Sequence, residues 1–401
     1  MKTMKREKII IILTASAFLL AFAVSRKIFH AGKGNETVLK IGFVYDGDES
    51  TPYTYNFIRS QHTVEEHFGD RIKVIVNSNI NPDDLEDTLD NLISKGCSLI
   101  FTTNYSHAIV TKEHAQKYPK IQFCQACGDN ANSQPVLKNF HTFMGEIYQG
   151  RYVTGIVAGL KLQELIESGI ISENQAKVGY VGAYPYPEVI SGFTAFFMGV
   201  RSVVPSATMT VNYTYTWSSF SEEKAKAQEL IDEGCIIISQ HSDTIGPAVA
   251  CEENFQKNVF HIGYNQSMID IAPRTSLVST RINWTPYIQG AVQAMLDKKS
   301  IEKSIKGHIH GTDIGAGFDL GWVQIMELNS IIAAPGTDER IEKEVRSFQK
   351  GRKSVFQGNF TGVNPYNDDD IYDFNNEYKE NADSSAPTLC YIIKDLIKII
   401  E

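Results

Sequence analysis

The sequence predicts an α/β protein of two doubly wound lobes, each a parallel sheet with helices on both faces. Short apolar stretches alternate with helical patterns along the chain, which is typical of parallel strands joined by helices. One sequence pattern also occurs twice. Residues 95–106 (KGCSLIFTTNYS) and 232–244 (DEGCIIISQHSDT) both contain Gly-Cys, then apolar residues, then polar residues. The 401 residues are enough for two such lobes.

The first lobe is predicted over residues 36–170 and again over 276–305. Its apolar stretches predict strands at 38–45 (VLKIGFVY), 72–77, 98–102 and 121–124. Helical spacing predicts helices at 56–68, 106–118 and 150–168, and Asn81-Pro82-Asp83-Asp84 begins another helix that ends at Gly96.

The second lobe is predicted over residues 171–275 and 306–362. The pattern restarts at 177–183 (KVGYVGA), with further strands at 209–213, 235–239 and 259–263 and helices at 187–203, 221–233 and 247–256. The strand at 277–282 and the helix after Trp284 come too late to complete this lobe simply. The chain is therefore expected to return to the first lobe there.

The N-terminal residues 1–35 indicate export. Basic residues at positions 2, 5, 6 and 8 precede 16 uncharged residues, 9–24 (IIIILTASAFLLAFAV). This pattern fits a cleaved secretory signal. It also fits a retained anchor, although the stretch is shorter than the roughly 20 residues that span a bilayer. Both alternatives place the chain outside the cytoplasm, secreted or associated with the cell membrane.

Residues 363–401 form a C-terminal extension. Its acidic run at 368–370 is expected to be a solvated loop, and 389–400 a strand or an amphipathic helix packed on a lobe. The net charge of −9, with no basic stripe, argues against nucleic-acid binding.

The six cysteines do not predict a metal or redox site. Cys97 and Cys235 open apolar strands, where a free cysteine is an ordinary core residue. Cys124 and Cys127 form a lone CxxC without the second pair of a zinc site, or the helix N-terminus of a redox motif. An even number of cysteines in an exported chain still permits disulfides.

No catalytic residue, metal or cofactor is predicted. Ser242 stands between His241 and Asp243, but neighbours in sequence do not face one another as a triad does, and the chain has no Gly-x-Ser-x-Gly turn. His308 and His310 could hold a metal, yet no third ligand is near them in sequence.

The candidate binding residues follow predicted strands, because ligands of parallel sheets bind at the carboxyl ends of strands. Two such edges facing each other across a hinge would form a cleft. Aromatic rings, amides and carboxylates without cations or a glycine-rich cradle argue against a phosphate and suit a planar heterocycle. The candidates are Tyr53, Asn56, Asn104, Tyr105, Glu188, Trp217, His241, Asp243, Asn265 and Trp284.

Eight stretches in order carry a family resemblance: KIGFVYDG, TPYTYN, YQGRYVTGIVAG, KVGYVGAYPYPEVISG, the Trp217 loop before SEEKAKAQELIDEGC, SQHSDT, GYN and NWTPYIQGAVQAML. From about residue 38 to 361 the chain resembles the basic membrane protein (BMP) family, the purine-nucleoside-type substrate-binding proteins of ABC importers. The resemblance implies a type I periplasmic-binding fold with two lobes and three hinge crossings. No cysteine follows the apolar stretch as it does in the family's lipoproteins, so no lipid anchor is implied.

The resemblance also implies roles for individual residues. A purine would stack between Tyr53 and Trp217, with Asn104, Glu188, His241 and Asp243 lining the pocket. Asn265 stands where many members have an aspartate that holds ribose. Together with the bulk of Trp284, this favours a free base such as adenine over a nucleoside.

The resulting hypothesis is a monomeric extracytoplasmic solute-binding protein, not an enzyme, which docks on an ABC permease. One alternative is a membrane-anchored purine sensor that signals through a partner protein. Another is a nucleoside hydrolase.

Overall fold

The computed structural model describes residues 38–400. The predicted signal or anchor at 1–35 lies outside this range. Within it, no helix is both long enough and apolar enough to cross a membrane.

The first lobe contains a seven-stranded sheet in the order β11-β12-β5-β4-β3-β1-β2. Neighbouring strands are parallel except for the outer β11. β3 and β5 are buried along their whole length, as expected for a parallel sheet that is covered on both faces. The strands are β1 (Leu39–Val44), β2 (Ile72–Asn77), β3 (Leu99–Thr102), β4 (Gln122–Ala126), β5 (Phe140–Gly145), β11 (His308–His310) and β12 (Asp313–Ala316).

The second lobe contains another seven-stranded sheet, in the order β13-β10-β9-β8-β6-β7-β17. It is parallel except for the outer β13. The predicted α/β class with two doubly wound parallel sheets is therefore confirmed. The strands are β6 (Lys177–Gly182), β7 (Thr208–Tyr213), β8 (Ile237–His241), β9 (Phe260–Tyr264), β10 (Ser276–Ile282), β13 (Val323–Ile325) and β17 (Ile397–Ile400).

A small antiparallel sheet in the order β15-β14-β16 lies in the C-terminal extension. Its strands are β14 (Thr361–Asn364), β15 (Asn367–Asp373) and β16 (Ile392–Ile393). The helices are α1 (Pro52–Phe68), α2 (Leu85–Ser94), α3 (Ala108–Lys117), α4 (Ile147–Glu167), α5 (Pro187–Arg201), α6 (Phe220–Asp232), α7 (Gly246–Glu253), α8 (Thr285–Asp297), α9 (Ile301–Ser304) and α10 (Thr337–Gln349).

α4 joins the lobes, since it begins directly after β5 of the first sheet and packs against α5 of the second lobe. Glycines allow the two helix backbones to touch. A Cβ atom at Gly155 would lie 2.0 Å from the carbonyl oxygen of Phe196, and one at Gly199 would lie 2.1 Å from that of Tyr152.

The chain passes between the lobes at three points within the described range. These are β5 to α4, β10 to α8, and β12 to β13. α8 packs against α1 of the first lobe, although the strand before it belongs to the second sheet.

Two predicted segments pair differently from expectation. Residues 276–305 were assigned to the first lobe, but their strand β10 pairs with β9 and β13 of the second sheet. Residues 306–362 were assigned to the second lobe, but β11 and β12 extend the first sheet beside β5. The strand β5 was not predicted from the sequence. Because β12 pairs with β5, its place in the first sheet could not be predicted either.

The C-terminal extension also differs from expectation. The acidic run at 368–370 lies in β15 rather than in a loop, with Asp368 and Asp369 exposed. The chain end forms a strand, the first of the two structures considered, and β17 pairs in parallel with β7.

Candidate ligand-binding site

A cavity lies between the carboxyl ends of the two sheets. Five lining residues come from each lobe. They are Asp46, Tyr53, Asn104, Tyr105 and Cys127 from the first, and Glu188, Trp217, His241, Asp243 and Tyr264 from the second. Seven of the ten candidates from the sequence thus meet at one cavity.

The strand ends position most of these side chains. Asp46, Asn104 and Cys127 follow β1, β3 and β4, so the parallel sheet brings them to one edge. His241 and Tyr264 are the last residues of β8 and β9 in the opposite sheet.

Tyr53 forms a fixed wall of the first lobe. Its hydroxyl donates to the carbonyl oxygen of Thr103 over 2.5 Å and lies 3.3 Å from Sγ of Cys127. Its ring meets the rings of Phe57 and Trp284 edge-on, at centroid distances of 5.2 Å and 6.4 Å. These contacts fix the orientation of the Tyr53 ring beside the cavity.

Asn104 and Asp46 form a polar pair on the same side. Nδ2 of Asn104 donates to Oδ2 of Asp46 over 2.5 Å, while its Oδ1 accepts the backbone N–H of Ser106 over 2.8 Å. Because both the nitrogen and the oxygen of the Asn104 amide already form hydrogen bonds, Asp46 is the stronger acceptor that the pair offers to a ligand.

In the second lobe, Trp217 lines the cavity and belongs to a cluster of aromatic rings. Tyr184 stacks on Tyr186 at 5.1 Å and meets Trp217 at 5.5 Å. Tyr186 also lies 6.2 Å from Tyr105 of the first lobe. This last contact crosses between the lobes, and both of its side chains are exposed.

The second lobe also supplies ionisable groups. Nε2 of His241 lies 3.3 Å from Oε1 of Glu188, and burial, reinforced by Arg151, lowers the pKa of His241 to about 4. The imidazole is therefore neutral at neutral pH. Burial raises the pKa of Asp243 well above its usual value, and the charges of Glu223, Asp46 and Glu188 raise it further. Asp243 therefore holds a proton more tightly than an ordinary aspartate, and the Glu188 carboxylate offers hydrogen-bond acceptors beside it.

Arg151 lies next to the lining residues of the second lobe. It is fully buried on α4, its guanidinium sits 3.7 Å above the centre of the Tyr264 ring, and Nη1 donates to the carbonyl oxygen of Gln240 over 2.8 Å. Its charge lowers the pKa of His241 and opposes the rise at Asp243. Arg151 does not line the cavity, but it fixes two of the strand ends that do.

Three predicted site residues do not line the cavity. Asn56 is buried and its Nδ2 donates to the carbonyl oxygen of Ile282 at a crossing between the lobes. Trp284 is fully buried and stacks on Phe57 at 4.3 Å. Asn265 is buried with a left-handed backbone at φ 64°.

Three lining residues were absent from the sequence-based set. Tyr264 precedes Asn265, and because alternate residues of a strand face opposite ways, a shift of one position selects the wrong side chain. Asp46 lies two residues after the end of β1, so its position in the sequence already indicated the edge of the sheet. Cys127 was considered only as part of a lone CxxC, and nothing in its sequence context marks it as a cavity residue.

The cysteines and histidines do not form a metal site in the described range. All six cysteines are free, and no group of three His, Cys, Asp or Glu in residues 38–400 is arranged to hold an ion. His308 is paired with Glu146 and, over 3.3 Å, with Asp319. Hydrogen bonds to these carboxylates raise the pKa of His308 to about 10.

The model of the Bmp family, described as ABC transporter substrate-binding protein PnrA-like, matches residues 38–351. The chain belongs to the Bmp family. Its members bind substrates for ABC transporters, which agrees with a cavity between two lobes.

Two curated proteins are similar to this Bmp chain. A purine-binding protein of Brucella abortus (strain 2308) is 29% identical over 289 residues, which cover 72% of this chain and 75% of the relative. A protein of Haloferax volcanii, provisionally named an ABC transporter glucose-binding protein, is 27% identical over 237 residues. That match covers 59% of this chain and only 56% of the relative.

Solved structures show the same fold. A solute-binding protein of an ABC transporter system from Conexibacter woesei has a TM-score of 0.59 at 15% identity, covering 79% of this chain and 97% of its own. A solute-binding protein from Aeropyrum pernix K1 has a TM-score of 0.60 at 14% identity, covering 78% and 92%. At these identities the likeness concerns the fold alone.

Proposed function

We propose that this Bmp-family protein binds a purine base or nucleoside in the interlobe cavity and delivers it to an ABC permease. The observation that carries the proposal is a cavity with an aromatic ring from each lobe, Tyr53 and Trp217, and three carboxyl groups, Asp46, Glu188 and Asp243. The Brucella relative named as a purine-binding protein supports the same ligand class.

The chemistry of the cavity suits a purine. Its flat ring can stack on aromatic faces, and its N–H groups can donate to Asp46 and Glu188. Its ring nitrogens accept hydrogen bonds, which a protonated Asp243 can donate. The ten lining residues include no Lys or Arg, so a nucleotide phosphate would have no cation to meet it.

Base and nucleoside are both included in the proposal. The expectation of a free base depended on Asn265 and Trp284, and neither lines the cavity. The carboxylates of Asp46 and Glu188 remain near the cavity and could accept ribose hydroxyls. The two ligand types are therefore to be separated by titration.

A sugar is the second candidate, because the Haloferax relative is named for glucose. Carboxylates and a tryptophan also suit a sugar ring. However, a sugar has no π-system and carries hydroxyl groups around its ring, so it would gain less than a purine from the two aromatic rings, Tyr53 and Trp217.

Calorimetric titration of the purified protein tests the proposal. Adenine, adenosine, hypoxanthine, inosine and glucose would be compared after removing any co-purified ligand by denaturation and refolding. Binding of at least one purine tighter than glucose by tenfold, about 1.4 kcal/mol, is expected. Glucose binding in the absence of purine binding would reject the proposal. Mass spectrometry of the released ligand gives an independent answer.

The location and partner belong to the same proposal. We expect a monomer outside the cytoplasm that docks on a permease once the lobes close on ligand. Genes for a permease and an ATPase beside this gene would support transport over the sensor alternative. Incubation with inosine, followed by product analysis, tests the hydrolase alternative, which predicts release of free base.

A further inference from the structure

Residues 374–400, which we call the C-terminal strap, lie beyond the region matched by the family model. The strap is anchored in the second lobe. Its last strand, β17, pairs with β7, and its Leu389 is fully buried. Thr194 on α5 donates through Oγ1 to the carbonyl oxygen of Tyr391 over 3.0 Å.

Glu380 forms a second anchor in the same lobe. This buried carboxylate accepts the hydroxyl of Ser191 on α5 over 2.7 Å. It also accepts the backbone N–H groups of Thr388 and Leu389 over 2.6 Å and 3.2 Å. These bonds close residues 380–389 into a loop that is held against α5.

The tip of that loop reaches the first lobe. Asp313, the first residue of β12, is 2% exposed and accepts the backbone N–H of Ser385 over 2.6 Å and its hydroxyl over 2.5 Å. It also accepts the hydroxyl of Ser384 over 3.1 Å and that of Thr142 over 2.8 Å. Three of its four hydrogen bonds therefore come from the strap.

The chain between Glu380, which is held in the second lobe, and Ser384, which contacts the first lobe, is short. The chain from Glu380 to Ser384 spans at most about 14 Å when fully extended. Asn381 shortens it further, because Nδ2 donates to the carbonyl oxygens of Ser384 and Ser385 over 3.0 Å and 2.7 Å. β12 leads directly into a crossing to the second lobe, so the contact lies beside the hinge.

We propose that the C-terminal strap is a noncovalent fourth connection between the lobes, which limits how far they open. Wider opening would pull Ser384 and Ser385 away from Asp313 and leave a buried carboxylate without its donors, which is costly. The contact therefore persists while the lobes move within a restricted angle. This inference concerns lobe motion and is independent of the identity of the ligand.

The first test weakens the contact. The double variant Ser384→Ala/Ser385→Ala removes two of the three strap bonds to Asp313. The matched control Ser202→Ala/Ser206→Ala changes two serines that lie within the second lobe. Small-angle X-ray scattering of the ligand-free proteins should show a larger radius of gyration for the first variant only. An unchanged radius in the folded first variant would overturn the proposal.

The second test makes the contact permanent. A Cβ atom at Gly315 would lie 3.1 Å from Cβ of Ser385, close to the spacing of roughly 3.5–4.5 Å in disulfides. The variant Gly315→Cys/Ser385→Cys should keep the wild-type radius of gyration when it is oxidised, since the contact already persists in the free protein. A smaller radius in the oxidised form alone would mean that the contact breaks in the free protein, and would overturn the proposal.

Discussion

Two tryptophans that both follow predicted strands have opposite environments. Trp217 lies in the loop after β7, is partly accessible and lines the cavity. Trp284 precedes α8, is fully buried and stacks on Phe57 of α1. The first is placed to contact a ligand, whereas the second fastens α8 to the first lobe.

Alanine substitutions at the two positions should therefore have different effects. Trp217→Ala should weaken binding of a purine by about 1–3 kcal/mol, the range for loss of base stacking, with little change in stability. Trp284→Ala should reduce the free energy of unfolding by about 3–5 kcal/mol through loss of core packing. Calorimetry and urea denaturation measure the two quantities. Equal losses of stability in both variants would show that Trp217 belongs to the core.

Asp243, a half-buried acid at the cavity, should make stability depend on pH. The pKa of Asp243 is raised in the folded protein above the value of about 3.9 in unfolded chains. Between the two pKa values the folded state binds more protons than the unfolded state, so stability falls as pH rises through this window.

Asp243→Asn should remove that loss. We expect the ligand-free variant to be more stable than the wild type at neutral pH, and the difference to shrink as pH falls towards 4. Asp70→Asn, at an exposed position, is the control and should change little. Urea denaturation at several pH values provides the measurement. A variant that is less stable than the wild type at neutral pH would contradict the assignment of a raised pKa.

At the scale of elements, the last strand completes the second sheet. Ile397 and Ile399 of β17 pair with Met209 and Val211 of β7, and Ile397 is almost fully buried. Without β17, the strand β7, which is buried from Met209 to Tyr213, would be an unprotected edge, and such an edge is a template for association with other chains.

Deletion of residues 396–401 should therefore lower the melting temperature and promote self-association. Lys398→Ala is the matched control, because Lys398 is exposed and the strand is kept. Thermal unfolding and size-exclusion chromatography measure the two effects. If the shortened protein stays monomeric with an unchanged melting temperature, β17 does not protect the sheet.

At the scale of the molecule, two lobes face each other across a cavity that both of them line. A ligand that contacts both walls favours the closed arrangement in proportion to its preference for that state. The Tyr105–Tyr186 contact between the lobes at the cavity belongs to this arrangement.

Purine binding should therefore stabilise and compact the whole protein. At a ligand concentration 100 times the Kd, the free energy of unfolding should rise by about 2.7 kcal/mol. Thermal unfolding with adenosine or adenine measures this gain, and small-angle scattering measures the accompanying decrease in radius of gyration. A stabilised protein with an unchanged radius would indicate binding without closure.

Most elements and much of the site could be predicted from local patterns. β2 was predicted with its observed bounds, and β6 and β8 were placed within two residues at each end. Tyr53, Asn104 and Glu188 were expected beside one cleft because each lies in a segment that follows a strand, and parallel strands bring such segments to a common edge. The structure places all three at one cavity.

The sequence by itself thus determined the α/β class, the two lobes and the polar edge where they face each other, because these depend on hydrophobic periodicity and on residues close in the chain. Only the tertiary structure decided which sheet receives β10 and β12, since that depends on which neighbouring strand is unpaired. It also decided that Tyr264 rather than Asn265 lines the cavity. The contact of Ser385 with Asp313 joins residues 72 positions apart. No local pattern encodes such a contact, because both side chains acquire their partner only when the lobes are assembled.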